Sequence, residues 1–256
     1  MPSDHSQTKS YLLASLLGAI GGALALYHLL VRPWQLRWGA TPPEVDGDRP
    51  GDNLVPSPMY ETTRAVTIRA SVAKVWPWLI QIGYQRGGFY SYDWLENLAG
   101  LEISSTDHID PGLQRLKVGH SMLIAPETPL AVARLEPNRL LVLHNTMNPF
   151  NAQTVDLDDP APGPFIDWSW SFALEELDES TTRLVVRVRG SCEPPWLAPL
   201  FYALLEPAHF LMERKMMLGI KERAEKGEAE IEIKSISVDL RNHDPNRTWD
   251  QGYLEN

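Results

Sequence analysis

The hydrophobic and polar positions divide this chain into three regions. The first is residues 11–31, which open on Tyr11, close on Val31 and contain no Asp, Glu, Lys or Arg. A helix of that length, at about 1.5 Å per residue, crosses the roughly 30 Å hydrocarbon layer of a bilayer. Trp34 and Trp38 follow as an interfacial aromatic pair with Arg32 and Arg37 beside them, whereas only Lys9 precedes the run, a bias that places the following domain in the cytoplasm. A cleaved secretory signal ending near Ala23-Leu24-Ala25 is the competing reading, but the apolar run continues past Ala25. Ala14, Gly18 and Gly22 form a small-residue stripe through which two such helices would pack as a homodimer.

The second region, 39–59, is dense in Pro, Gly and Asp and reads as an extended tether without a packing face. The third alternates in period. Residues 62–68 predict a strand, with Val66 and Ile68 on one side and Thr67 on the other. Ser71 caps a helix to about 82 that Pro77 is expected to kink or split, and a short helix follows over 92–99. Strands are predicted over 116–124, 130–135 and 140–144, with a turn at Glu136-Pro137-Asn138-Arg139. Residues 145–164 are polar and proline-rich, an unusually long connection. Trp168, Trp170, Phe172 and Leu174 then alternate with Ser169, Ser171 and Ala173, and the chain returns through Leu184, Val186 and Val188 alternating with Arg183, Arg187 and Arg189. This is the clearest hairpin, and its arginines are expected to face water. A long helix over 195–226, interrupted or bent at Pro207, carries Phe201, Leu205, Ala208, Met212, Met216 and Gly219 on one face.

The resulting organisation is an N-terminal tail 1–10, a transmembrane helix 11–31, a tether 32–60, a single α+β domain 61–227 and a polar C-terminal tail 228–256. A single helix laid on a curved antiparallel sheet leaves a hollow more readily than a solid core.

Composition narrows the chemistry. A formal charge of −10 and a pI near 5.2 exclude a phosphate-binding basic surface, so no nucleic-acid partner is expected. The single Cys192 allows no intramolecular disulfide and too few thiolates for structural zinc. The seven histidines form no HExxH or close ligand pair, and GxSxG, Walker and GxGxxG patterns are absent. No metal, cofactor or catalytic residue is assigned.

The segments Val75-Trp76-Pro77-Trp78-Leu79-Ile80-Gln81-Ile82-Gly83, Gly87-Gly88-Phe89-Tyr90-Ser91-Tyr92-Asp93-Trp94-Leu95-Glu96-Asn97 and His209-Phe210-Leu211-Met212-Glu213-Arg214-Lys215-Met216-Met217-Leu218-Gly219-Ile220-Lys221 resemble a bacterial, membrane-anchored branch of the SRPBCC superfamily, also called START-like or Bet v 1-like. The resemblance spans about residues 60–227. It implies a helix-grip fold, a curved antiparallel sheet closed by a long C-terminal helix. It also implies a cavity for lipids, fatty acids, sterols or polyketides; relatives of this fold include both carriers and cyclases, dehydratases or hydrolases, and non-catalytic binding is the leading expectation.

The candidate lining is Trp76, Tyr90, Tyr92, His144, Trp168, Trp170, Phe172, Leu205, His209, Met212 and Met216. Each also has an ordinary structural reading, as core filling for the aromatic and Met side chains and as a hydrogen-bonded edge group for His144 and His209. Two other functions compete. A cyclase- or hydrolase-like enzyme would use His209 with Glu213 or Tyr90 with Asp93 for proton transfer, and an interaction module would dock through Phe210, Leu211, Met217 and Leu218.

Overall fold

The computed structural model of the chain describes residues 4–98, 100–126, 128–151, 153–157 and 163–242. An apolar helix α1 (Asp4–Leu26) continues through a π-helical turn (Tyr27–Val31) into α2 (Arg32–Leu36). A short helix α3 (Pro42–Asp46) precedes β1 (Tyr60–Ile68), α4 (Val72–Ile80) and α5 (Asp93–Leu98). Strands β2 (Ser121–Ala125), β3 (Thr128–Glu136), β4 (Leu140–Met147), β5 (Phe165–Asp178) and β6 (Thr181–Glu193) follow, and α6 (Leu197–Asn242) closes the described chain.

All six strands pair antiparallel in the order β1-β6-β5-β4-β3-β2, so the first strand is joined to the last and the sheet is one continuous layer. Register irregularities between Val132 and Arg134 and between Glu176 and Asp178 add the local twist that curves such a sheet. Asn138 takes a left-handed conformation, φ 59°, in the β3–β4 turn predicted around it. α6 lies across the concave face against β1, β6 and α4. This is the helix-grip fold, the fold of the superfamily that the sequence resembles.

The core sits between sheet and helices. Leu141 and Leu143 of β4, Trp170, Phe172 and Leu174 of β5, Val186 and Val188 of β6, and Met216, Met217 and Ile220 of α6 are all buried within it. Two features force α6 down onto the 81–92 loop. Tyr90 adopts φ 56°, a strained value for a ring-bearing residue, and is held by Ser105 Oγ accepting from its N–H at 2.9 Å and by its own hydroxyl donating to Trp78 O at 3.1 Å. Gly219 then passes so close that a Cβ there would stand 2.3 Å from Tyr90 O, which admits only glycine.

Four expectations are corrected. The 39–59 segment is no free tether, because it lies across the convex face of the sheet and fills its outer layer. Arg183 makes a forked pair with Glu44 at 2.7 and 2.8 Å. Arg187 is 3 % exposed and donates to Thr63 Oγ1, to Gly47 O, Glu44 O and Val45 O, and to Asp52 at 2.7 Å. Arg189 reaches Asp52 O and Glu61. The alternation correctly put these arginines on the face opposite the core, but the chain's own strap, not water, covers that face.

Burial alone would raise the Glu44 carboxyl. The Arg183 fork, with the Thr41 N–H 2.6 Å from it, outweighs this and holds it down at about 2. The second correction concerns α4, which is not split at Pro77 but continues through it. Third, α6 is not interrupted at Pro207 but continues through it. Fourth, α6 extends to Asn242, so the first part of the expected C-terminal tail is helical, and residues 243–256 lie outside the described residues.

Candidate ligand cavity

A cavity of about 210 Å³ lies between the sheet and α6, lined by Phe89, Ile103, Ile124, Trp168, Trp170, Met212 and Met216 together with Ser91, Glu96, Leu101, His209 and Glu213. Each wall has its own origin. The two-residue period of β5 turns Trp168 and Trp170 to the concave face. The helical period of α6 brings His209, Met212, Glu213 and Met216 to the side facing them. The loop after α5 folds Leu101 and Ile103 over one end, fixed by reciprocal hydrogen bonds between Asn97 and Ile103 at 3.0 and 2.7 Å.

The polar groups of the wall fall into two sets. The first is an ion cluster on the α6 side. Arg64 of β1 is wholly buried and pairs with Glu213, which is 2 % exposed and also accepts from the Trp170 indole N–H at 3.0 Å. A buried pair of this kind persists because each partner compensates the other's lost hydration. His209 Nδ1 lies 3.4 Å from Arg64 Nη1, and its Nε2 is 3.6 Å from Glu213. Desolvation pushes the His209 imidazole below its ordinary value, against the opposing pull of Glu213 and with the repulsion of Arg64.

The cluster continues outward. Arg64 Nε donates to Gln35 O at 2.8 Å, and Gln35 donates to Glu206 at 2.9 Å and to the Tyr27 hydroxyl at 2.8 Å. Arg32 holds the other Glu206 oxygen at 3.1 and 2.9 Å. Trp34 packs edge-on to Phe210, whose ring lies under Arg64. The end of the apolar N-terminal helix is thus bolted to the helix that forms the cavity wall.

The second set is Glu96 on α5, 6 % exposed, whose Oε2 is buried without a hydrogen-bond partner. Burial first, and then the neighbouring Asp93, push this carboxyl up to about 7. Glu96 escaped the sequence reading because an acidic residue in a short helix reads as solvent-facing, and no spacing marks it otherwise. Arg64 was missed for the same reason, as one charge in an alternating strand.

The candidate residues separate clearly. Trp168, Trp170, His209, Met212 and Met216 line the cavity. Trp76 and Phe172 are buried in the surrounding core. His144 is corrected outright: it sits on the convex face, one residue out of phase with Leu143, with its Nε2 2.8 Å from Asp167. Tyr92 stacks edge-on with Trp94 away from the cavity, and Leu205 lies outside the described side chains.

Tyr90 borders a separate polar depression of about 490 Å³ with Asp93, Ser105, Lys215, Arg223 and Lys226. Its charged walls give an apolar ligand no reason to leave water. There Asp93 accepts from Ser105 N and Oγ at 2.8 and 2.6 Å, and burial lifts the Tyr90 hydroxyl to about 12. That pair fixes a loop rather than offering a proton. Of the four residues proposed for docking a partner, Phe210 and Met217 are buried and only Leu211 is exposed, so they present no common surface.

No protein-family model and no curated protein matches the chain. Solved structures similar to it include a protein of Mesorhizobium loti, 14 % identical over 65 % of this chain and 98 % of its own, at TM-score 0.34. A Polyketide_cyc-like protein of Corynebacterium glutamicum is 15 % identical over 72 % of this chain and 96 % of its own, at TM-score 0.28. CalU16 of Micromonospora echinospora is 16 % identical over 66 % and 86 %, at TM-score 0.29. The helix-grip assignment rests on the strand order and the closing helix described above.

Proposed function

We propose that this chain is a membrane-anchored receptacle that binds an apolar small molecule, without transforming it, in the cavity between the sheet and α6. The observation that carries this reading is the cavity itself. At about 210 Å³, with one side open to solvent, it has room for a small apolar molecule. Aromatic, thioether and aliphatic side chains dominate its wall, and burying a ligand's apolar surface at about 25 cal/mol per Å² supplies the driving force. The anchor is the segment 14–36, long and apolar enough to cross a membrane, with mean hydropathy 1.8; only its C-terminal end, at Arg32 to Leu36, packs against the domain. Arg32 and Arg37 at its end favour a cytoplasmic domain.

Anchoring and binding support each other, since a ligand that partitions into lipid is concentrated where the cavity waits. The test is organic extraction and mass spectrometry of the full-length protein purified from membranes. An apolar compound should co-purify near one per chain and be lost from Met212→Trp, whose indole fills the void. A chain that is empty, or a Met212→Trp variant that carries as much compound as the parent, contradicts the reading.

A second reading has its own observation. A carboxyl held near neutrality in an apolar wall, as Glu96 is, has the property that general acid catalysis requires, so a cyclase-like activity in the same cavity is the alternative. It predicts turnover of the co-purifying compound that Glu96→Gln abolishes while binding remains.

A further inference from the structure

The apolar helix leaves the domain in a fixed direction. β1 and β5 start, and β4 and β6 finish, at one end of the sheet, here its lower end. α6 climbs from that end: Leu197 and Ala198 pack near Ile166 and Cys192, Glu213 meets Arg64, Lys221 donates to Thr67 O at 2.6 Å, and Glu225 accepts from Arg69 N at 2.8 Å. α2 climbs beside it, with Arg32 at Glu206, Trp34 at Phe210 and Trp38 under Arg214. Residues before Arg32 therefore depart at the lower end, and a bilayer crossed by α1 faces that end. α6 extends nine residues below Glu206, about 13 Å further the same way. The lower end thus reaches toward lipid beyond Arg32, the first charge after the apolar run.

The sequence changes character there. Three of the connections at the lower end, residues 53–60 leading into β1, 145–155 from the end of β4 and 194–205 from β6 into α6, contain no Asp, Glu, Lys or Arg, although such residues make up 22 % of the chain. The fourth, the β2–β3 turn, carries Glu127. Connections at the upper end are charged throughout, by Arg69, Lys117, Arg139 and Glu179.

Each uncharged connection also shows a large apolar side chain to the outside: Met59, Phe150, which is 72 % exposed, and Trp196, which is 70 % exposed. Phe150 sits at the tip of a hairpin that prolongs β4 downward, closed by Val155 N donating to Thr146 O at 2.9 Å and Asn148 N to Gln153 O at 2.8 Å. Asn148 Oδ1 accepts from Phe150 N at 2.9 Å and fixes the tip. Single exposed apolar residues are ordinary, but several on uncharged loops at one end of a domain mark a surface that meets something apolar.

We propose that the lower end of the domain is a lipid-docking face, whose Met59, Phe150 and Trp196 enter the interfacial layer of the same bilayer that α1 crosses. This rests on α1 being a membrane anchor and adds which face of the domain meets the lipid. Aromatic side chains favour that layer, and a docked apolar face sinks about 5–10 Å into it. The cavity lies in this half of the domain, since Trp168 is the fourth residue of β5 and Ile124 the last but one of β2. A ligand dissolved in the bilayer thus meets the domain at its near end.

The test places single nitroxide labels on the full-length Cys192→Ala chain in phosphatidylcholine vesicles, through Phe150→Cys and Trp196→Cys at the lower end, Val118→Cys and Leu177→Cys at the upper end, and Leu24→Cys in α1. All five positions are exposed on the protein itself. Power-saturation spectroscopy then reads each label's collisions with a water-soluble nickel chelate and with oxygen, which partitions into lipid. Labels at 150 and 196 should meet the chelate at least about fivefold less than those at 118 and 177, and oxygen more.

If all four meet the chelate alike while the label at 24 is shielded, the docking face is wrong and the anchor stands. If the label at 24 is as open to the chelate as the rest, the anchor falls and the docking face with it. Should one lower-end variant fail to fold, the other decides.

Discussion

Glu96 concentrates what one residue does in this protein. Its carboxyl titrates near 7 in the folded chain but near its ordinary value when unfolded, so the neutral form is the one the fold accommodates. Stability from this group is therefore complete below about pH 4.5 and is lost as pH rises through about 7. Glu96→Gln removes the titration. The variant should match the parent below pH 4.5 and exceed it above pH 7, by up to about 3 kcal/mol, in urea unfolding followed by tryptophan fluorescence. A parent–variant difference that does not change between pH 4.5 and 8 contradicts the assignment.

The same residue shows where sequence reading stops. Trp168, Trp170, Met212 and Met216 were legible as cavity wall because a large apolar side chain declares its preference for burial through its period. A buried Glu or Arg declares nothing, since its burial depends on a partner or a void supplied from elsewhere in the chain. Arg64 finds Glu213 across the domain, and the buried Oε2 of Glu96 has no hydrogen-bond partner among the described residues.

Elements behave similarly. The strands, the hairpin and the closing helix followed from alternation and helical spacing because each buries one face, and the period names that face. The strap did not follow, because residues 39–56 contribute little apolar surface and act through backbone carbonyls and two acidic side chains. Gly47, Glu44 and Val45 offer carbonyls to Arg187, while Asp52 neutralises it and also faces Arg189. Proline and glycine density is the same for a loose linker and for a strap whose carbonyls are used. His144 failed for a related reason: a strand residue one position out of phase reaches the opposite face of the sheet.

If the strap is integral, Asp52→Ala should cost about 2 kcal/mol of unfolding free energy, because it leaves a nearly buried guanidinium without its countercharge. Lysine at Arg187 should fail to substitute, since one ammonium cannot replace a fork that spans three carbonyls, a hydroxyl and a carboxylate. Loss within experimental error for Asp52→Ala would mean that the strap rests on the sheet without holding it.

At the scale of the whole molecule, three layers share one axis of charge. The apolar helix ends at Arg32 and Gln35, these hold Glu206 at the start of the cavity-forming stretch of α6, and Glu213 two turns later holds Arg64 at the floor of the sheet. The domain is thus attached to the apolar N-terminal helix by a specific joint, and the hollow lies just beyond that joint.

Everything functional depends on that hollow being present. The direct measurement is crystallography of the full-length protein under xenon pressure, because xenon enters dry apolar voids and ignores polar surface. The structure predicts a xenon site among Phe89, Trp170, Met212 and Met216. Crystals that take up no xenon there, with those side chains in mutual contact, would contradict the account.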